Sequence, residues 1–158
     1  MKKVFFMTLL AVLLLFSACG KEEIVPVTTP PGLTIVFPEG ELTRNGQVGP
    51  WYYLNSDGEW RTMPAPSYAL PERWWDQEAD MTTAAETVQL LFEVPPAKVD
   101  VTRYRSEDGL ERFTRLEDVG TMAIDEERAV YHIVAEWEDE GRSWYGEAVY
   151  SLCIEKKD

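Results

Sequence analysis

Histidine is almost missing from this 158-residue chain: His132 is the only one. Zinc-type sites draw several ligands from His and Cys, and the sequence adds only Cys19 and Cys153. A zinc centre is therefore excluded on ligand count, and no cofactor is expected. Ser-His-acid catalysis needs a His beside a nucleophile. His132 lies inside the apolar segment Val130 to Val134, and no Gly-x-Ser-x-Gly elbow occurs, so a structural His is expected. Positive charge is also scarce, with 15 Lys+Arg against 28 Asp+Glu and a net charge of −13. Such a surface repels nucleic acid and anionic headgroups, so no nucleic-acid partner is expected. Calcium needs only oxygen ligands, and Asn55-x-Asp57-x-Glu59 and Glu136 to Glu140 supply some. Neither stretch has the full spaced loop, and both sit where turns need polar residues. Two carboxylates suffice for glycoside hydrolysis, but among 28 acids some pair always lies close. The chain is expected not to be an enzyme.

Long helical periodicity is absent as well. The one extended apolar run is Val4 to Phe16, about 13 residues preceded by Lys2 and Lys3. It is shorter than the roughly 20 residues that a membrane-spanning helix needs. A positive start followed by such a run is the pattern of a secretory signal. The run ends Phe16-Ser17-Ala18-Cys19-Gly20, which resembles the bacterial lipobox, with Phe16 where Leu is usual. That resemblance implies cleavage before Cys19 and a diacylglyceryl group on its thiol. Several acyl chains anchor firmly where one is marginal. The resemblance places the chain on the outer face of the cell membrane, held there through the Cys19 lipid. In a diderm host it would face the periplasm or sit at the outer membrane, because Gly20 is not the Asp that retains such proteins at the inner membrane.

The expected organisation is a cleaved signal over 1–18, a lipid-anchored Pro-rich linker over 19–32 and one domain over 33–158. Losing Lys2 and Lys3 leaves 13 basic against 28 acidic side chains, a mature charge of −15. If Cys19 is acylated, Cys153 has no intramolecular partner. In Leu152-Cys153-Ile154 it then behaves as a small buried hydrophobe. A Cys19–Cys153 disulfide is the alternative, and the linker disfavours it.

What the sequence has in quantity is aromatic and β-branched residues, with 12 % Phe, Trp and Tyr. These favour strands. Leu33 to Phe37, bounded by Gly32 and Pro38, reads as a first strand. Trp51 to Leu54 and Trp60 to Met63 flank an Asp57-Gly58 turn and read as a hairpin. Val88, Leu90 and Phe92 alternate with more polar neighbours before Pro95-Pro96. Lys98 to Arg105 and Glu111 to Leu116 flank a second turn at Asp108-Gly109. Ala129 to Glu138 places Tyr131, Ile133, Ala135 and Trp137 on one face and Val130, His132 and Val134 on the other, so it reads as a central strand. Arg142 to Ile154 returns with Trp144, Gly146, Ala148, Tyr150, Leu152 and Ile154 on one face. Short strands between turn signals point to an all-β, two-sheet antiparallel sandwich.

The stretch Tyr131-His132-Ile133-Val134-Ala135-Glu136-Trp137, an acidic Gly turn, and Trp144 to Tyr150 resemble the C-terminal hairpin of small immunoglobulin-like lipoproteins of Gram-positive bacteria. Leu90 to Tyr104, with its Pro pair between two strands, is similar too. The likeness covers roughly residues 87 to 154 and implies an immunoglobulin-like β-sandwich, with no activity attached.

Chemistry is therefore sought among the aromatics. Trp51, Tyr52, Tyr53, Trp60, Trp74 and Trp75 fall in the N-terminal half, which is expected to be irregular. Exposed Trp and Tyr offer flat faces to a sugar ring or a partner protein. The other role open to them is extra core at the ends of the sandwich. Trp51, Trp60, Trp74 and Trp75 are the candidate binding surface, and a binding role expects at least two of them on one exposed patch. The expected function is a non-catalytic binding module, its partner an envelope protein or a glycan. An accessory subunit of an envelope complex is the alternative, and an enzyme of unassigned chemistry the third.

Overall fold

The structure, a computed structural model, describes residues 24–64, 78–106, 109–115, 120–125, 127–139 and 141–157, with backbone alone for 106 and 109–115. The expected signal, Cys19, Trp74 and Trp75, and the Asp108 half of the second turn lie outside these residues. Every element among them is a strand, and no helix is long and apolar enough to cross a membrane.

β-Branched and aromatic runs, punctuated by Gly and Pro, form two sheets. The smaller contains β2 (Gly40–Arg44), β1 (Leu33–Phe37), β6 (Thr87–Phe92) and β9 (Thr121–Ala123), in that spatial order. The larger runs β4 (Trp60–Met63), β3 (Gln47–Leu54), β11 (Trp144–Lys156), β10 (Arg128–Trp137), β7 (Lys98–Ser106) and β8 (Gly109–Arg115). All these pairings are antiparallel. β5 (Met81–Thr83) lies parallel to the far end of β11, Met81 opposite Ile154. The expected all-β sandwich is thus observed. The N-terminal half carries the expected first strand (β1) and hairpin (β3 and β4) and adds β2, which escapes the sequence pattern because its side chains are mostly exposed.

Side chains alternate as period 2 requires. Leu33, Ile35, Phe37, Val88 and Leu90 of the small sheet meet Val99, Val101, Tyr131, Ile133, Ala135, Ala148, Tyr150 and Leu152 of the large one. Burying one such Val, Leu or Ile stabilises the fold by roughly 1.5–3 kcal/mol. The opposite face of β10 and β11 is closed too: Val130, Val149 and Cys153 are buried outside that core. The free Cys153 is therefore a buried thiol, and burial pushes its pKa up.

The packed domain starts before Leu33. The Trp51 indole donates to the Val27 carbonyl at 2.8 Å, and the Tyr150 hydroxyl donates to the Pro31 carbonyl at 2.5 Å. The Gly32 amide donates to the Glu93 carboxylate at 2.7 Å, and Glu93 returns its own amide to the Gly32 carbonyl at 3.0 Å. Residues 27–32, expected within the spacer, are docked on the sandwich by these bonds.

One irregularity decides the fate of a candidate. Between Gly146 and Ala148 β11 advances two residues, while β3 steps three, from Trp51 to Val48. The extra residue lies in Gly49-Pro50, a bulge, which is where a strand tolerates proline. An uninterrupted strand would point Val48 and Trp51 to opposite faces. The bulge points both inward, where Val48 packs against the core and Trp51 belongs to it.

Candidate functional site

Trp51 is the correction this bulge enforces. It is 0 % exposed, stacked on Trp144 at 5.1 Å and meeting Trp137 edge-on at 5.9 Å. It is core, and it leaves the candidate binding surface. Of the other three, Trp60 is 45 % exposed, and Trp74 and Trp75 lie outside the described residues.

Trp60 does not stand alone. On the outer side of the large sheet Tyr52 of β3 lies directly opposite Tyr145 of β11, the rings stacked at 4.7 Å with 11° between planes. Trp60 of β4 meets Tyr145 edge-on at 5.2 Å. Aromatic pairs at such distances add about 0.5–1.5 kcal/mol beyond their burial. The result is a three-ring ridge, partly buried and partly wet, along the β4-β3-β11 side of the sheet.

Beside the ridge is an open groove of about 640 Å³. It is lined by Pro50 and Tyr52 of β3, by Tyr145, Gly146 and Glu147 of β11, and by Glu136 and Trp137 of β10 with Glu138 and Asp139 of the turn that follows. Four of these residues are acids, and among the described lining residues none is basic. Lys98 reaches Glu136 at 3.6 Å and Asp100 at 2.6 Å. Asp139 also serves its turn, its carboxylate accepting the Gly141 amide at 3.2 Å.

In the sequence Glu136, Glu138 and Asp139 read only as a polar turn, and Tyr145 and Glu147 are missed, although a signal for these two exists. Counting Trp144, Gly146 and Ala148 as one face leaves Tyr145 and Glu147 on the other, and the same count on β3 leaves Tyr52.

The remaining candidates resolve as turns and core. The Asn55 side chain accepts amides from Asp57 at 3.0 Å and Glu59 at 2.9 Å, so this stretch is a capped turn. Among the described residues no group of three His, Cys, Asp or Glu is placed to hold a metal ion. His132 is 9 % exposed, edge-on to Tyr104 at 5.0 Å, and its Nε2 has no hydrogen-bond partner. Burial lowers its pKa from the usual 6.5. A folded pKa below the unfolded one contributes stability that is present above about pH 6.5 and lost as pH falls toward the folded value. Urea titrations at pH 7.5 and pH 5 are expected to show a larger acid loss for the natural chain than for His132→Gln. Equal losses would mean that His132 is charged in the folded state.

No family model matches the chain, and neither a curated protein nor a solved structure does.

Proposed function

We propose that this chain is a lipid-anchored, extracytoplasmic binding module whose contact surface is the Tyr52–Tyr145–Trp60 ridge and its groove. The observation that carries the reading is the solvent-side ring cluster: Trp60 remains 45 % exposed while Trp51 and Trp137 are buried. Large rings held rigid on strands lose little entropy on binding and dominate contact energies. A non-catalytic role is supported by where the reactive groups sit. Among the described residues the one His and the one Cys are both buried, and the thiol is harder to ionise than usual.

We assign the sandwich to the immunoglobulin-like type, on its strand order. β6 and β9 share the small sheet and β8-β7-β10-β11 run together in the large one. That is the order of strands B and E against C′, C, F and G in variable-type immunoglobulin domains. β1 to β4 then extend both sheets on the N-terminal side.

The anchor rests on the lipobox-like Ser17-Ala18-Cys19 following the short apolar run. The module is held by its Cys19 lipid on the outer face of the cell membrane, where an acidic domain stands off anionic headgroups. Its partner is an envelope protein or a glycan. Cys19→Ser is expected to lose the lipid mass and to keep the apolar N-terminus uncleaved, both read by mass spectrometry. A natural mature protein with an unmodified Cys19 refutes the anchor.

The binding reading is tested by screening the full chain against glycans and envelope extracts beside Tyr145→Ala with Trp60→Ala. Each lost anchor ring costs about 1–2 kcal/mol, so the double variant is expected to bind at least tenfold more weakly. A captured partner that binds the double variant equally well rules out the ridge.

A further inference from the structure

The N-terminal segment fixes where the chain leaves the sandwich, because its contacts run in one direction. The Pro31 carbonyl takes the Tyr150 hydroxyl, and the Val27 carbonyl takes the Trp51 indole. The Ile24 Cδ1 then lies 3.7 Å from where a Cβ on Gly58 would stand. Tyr150 is midway along β11, Trp51 faces Gly146 near its start, and Gly58 lies in the turn between β3 and β4. The exit is therefore at the end that carries this turn. The β10–β11 turn shares that end, since the Leu54 amide donates to the Ser143 carbonyl at 2.8 Å.

Resting on the Cys19 anchor proposed above, we infer that this end faces the bilayer and that Val25 and Trp60 touch the lipid interface, so that the domain stands upright on the membrane in one orientation.

Length is the first support. Ile24 is five positions after Cys19, and extended chain spans at most about 3.6 Å per residue, or about 18 Å here. β11 is 13 residues long, about 40 Å at the rise of a strand. The β3–β4 turn is thus held close to the headgroups, whereas the far end meets them only if the domain lies flat.

Side-chain chemistry is the second. Among the described residues the large apolar side chains left exposed are Val25 at 72 %, Leu91 at 52 % and Trp60 at 45 %. Val25 adjoins Ile24, and Trp60 follows Gly58 by two residues, so two of the three stand beside the exit. Trp is favoured at a membrane–water interface, where its ring body is in an apolar zone and its N–H stays wet. A short tether holds both side chains against the surface at roughly millimolar effective concentration. A contact too weak to recruit a free protein is populated there.

Charge confines the contact to the tip. Asp57 and Glu59 stand in this turn and Glu138 and Asp139 follow β10, with Arg61 paired to Glu59 at 2.5 Å. At a net −13 the flanks of the domain are repelled by anionic headgroups, which opposes lying flat. One Val and one Trp need only neutral lipid. The Tyr52–Tyr145 stack is two residues further from the turn along β3 than the Leu54–Trp60 pair, so it stays in water for the partner.

The test uses the full lipidated chain in phosphatidylcholine vesicles with brominated acyl chains, which quench Trp emission at short range. The natural chain is expected to be quenched relative to unbrominated vesicles, and Trp60→Phe to lack that quenching. Val25→Ser is expected to reduce it. An unchanged thermal midpoint shows that each variant folds. Replacing half of the lipid by phosphatidylglycerol is expected to weaken the contact at a Debye length of about 30 Å and to restore it at about 8 Å. A dye on Ser56→Cys is expected to transfer energy to a headgroup-labelled lipid, and one on Glu127→Cys to transfer little, because the Glu127 carbonyl holds the Lys156 amide at the far end. Cys153 is buried and takes no dye. Quenching that persists in Trp60→Phe, equal transfer from the two dyes, or a contact strengthened by the anionic lipid overturns the inference and leaves the anchor and the ridge standing. Cys19 found without lipid removes the anchor, and the inference falls with it.

Discussion

Gly146→Ala is expected to destabilise the fold by about 3–5 kcal/mol, a large part of the roughly 5–15 kcal/mol margin of an ordinary domain. An added Cβ would stand 2.3 Å from the Pro50 carbonyl oxygen, 2.9 Å from the Trp51 Cα and 3.0 Å from the Trp51 ring. Two of these are backbone atoms of the neighbouring strand, and the third belongs to a fully buried indole, so none moves aside cheaply. The residue also has φ +144, where a side chain is strained whatever the space. Gly40→Ala separates the two causes, because Gly40 has φ +155 and nothing within 4 Å of its Cβ position. It is expected to cost about 1 kcal/mol, the conformational part alone. Urea unfolding of the two variants measures the difference. Equal losses would show that the close approach of β3 and β11 carries no weight.

The second large effect is expected at Trp51. Trp51→Ala removes a fully buried ring that touches Trp137 and Trp144, at a cost of about 3–5 kcal/mol. It also removes the donor that holds the Val27 carbonyl. Trp51→Phe keeps most of the ring packing and loses that donor, for about 1–2 kcal/mol. Amide exchange is expected to tell them apart: Trp51→Phe frees the segment around Val27 while the β10 amides stay protected. If that segment exchanges as slowly in Trp51→Phe as in the natural chain, the indole bond is not what holds it down.

Strands that alternate cleanly were legible in the sequence. β1, β6, β10 and the inward face of β11 follow period 2 between Gly and Pro signals, and their burial matches it. β2, β5 and β9 were not. Met81–Thr83 and Thr121–Ala123 are three residues each, too short for a period to show. The site was half legible. Trp60 was a candidate on composition and proved exposed. Trp51 was a candidate on the same ground and proved core, because the Gly49-Pro50 bulge turns it inward. A proline inside a strand is a signal of such a bulge, but which residue gains the extra step depends on the partner strand, and local sequence does not carry that. The groove acids belong to β10, the following turn and β11, so only the pairing of Glu136 with Glu147 brings them together.

β11 pairs with β10 along its length, with β3 over its first half and with β5 at its end. A chain emerging from the ribosome or a secretion channel therefore holds β3, β4 and β5 without their sheet until Lys156 has appeared. The contacts that close the large sheet join residues about a hundred positions apart, such as Trp51 and Gly146, and contacts so distant in sequence slow folding. Until closure, the unpaired edges of the early hairpins are open to other chains. An export route that delivers the polypeptide unfolded and a chaperone that shields strand edges on the far side would both fit this order of events.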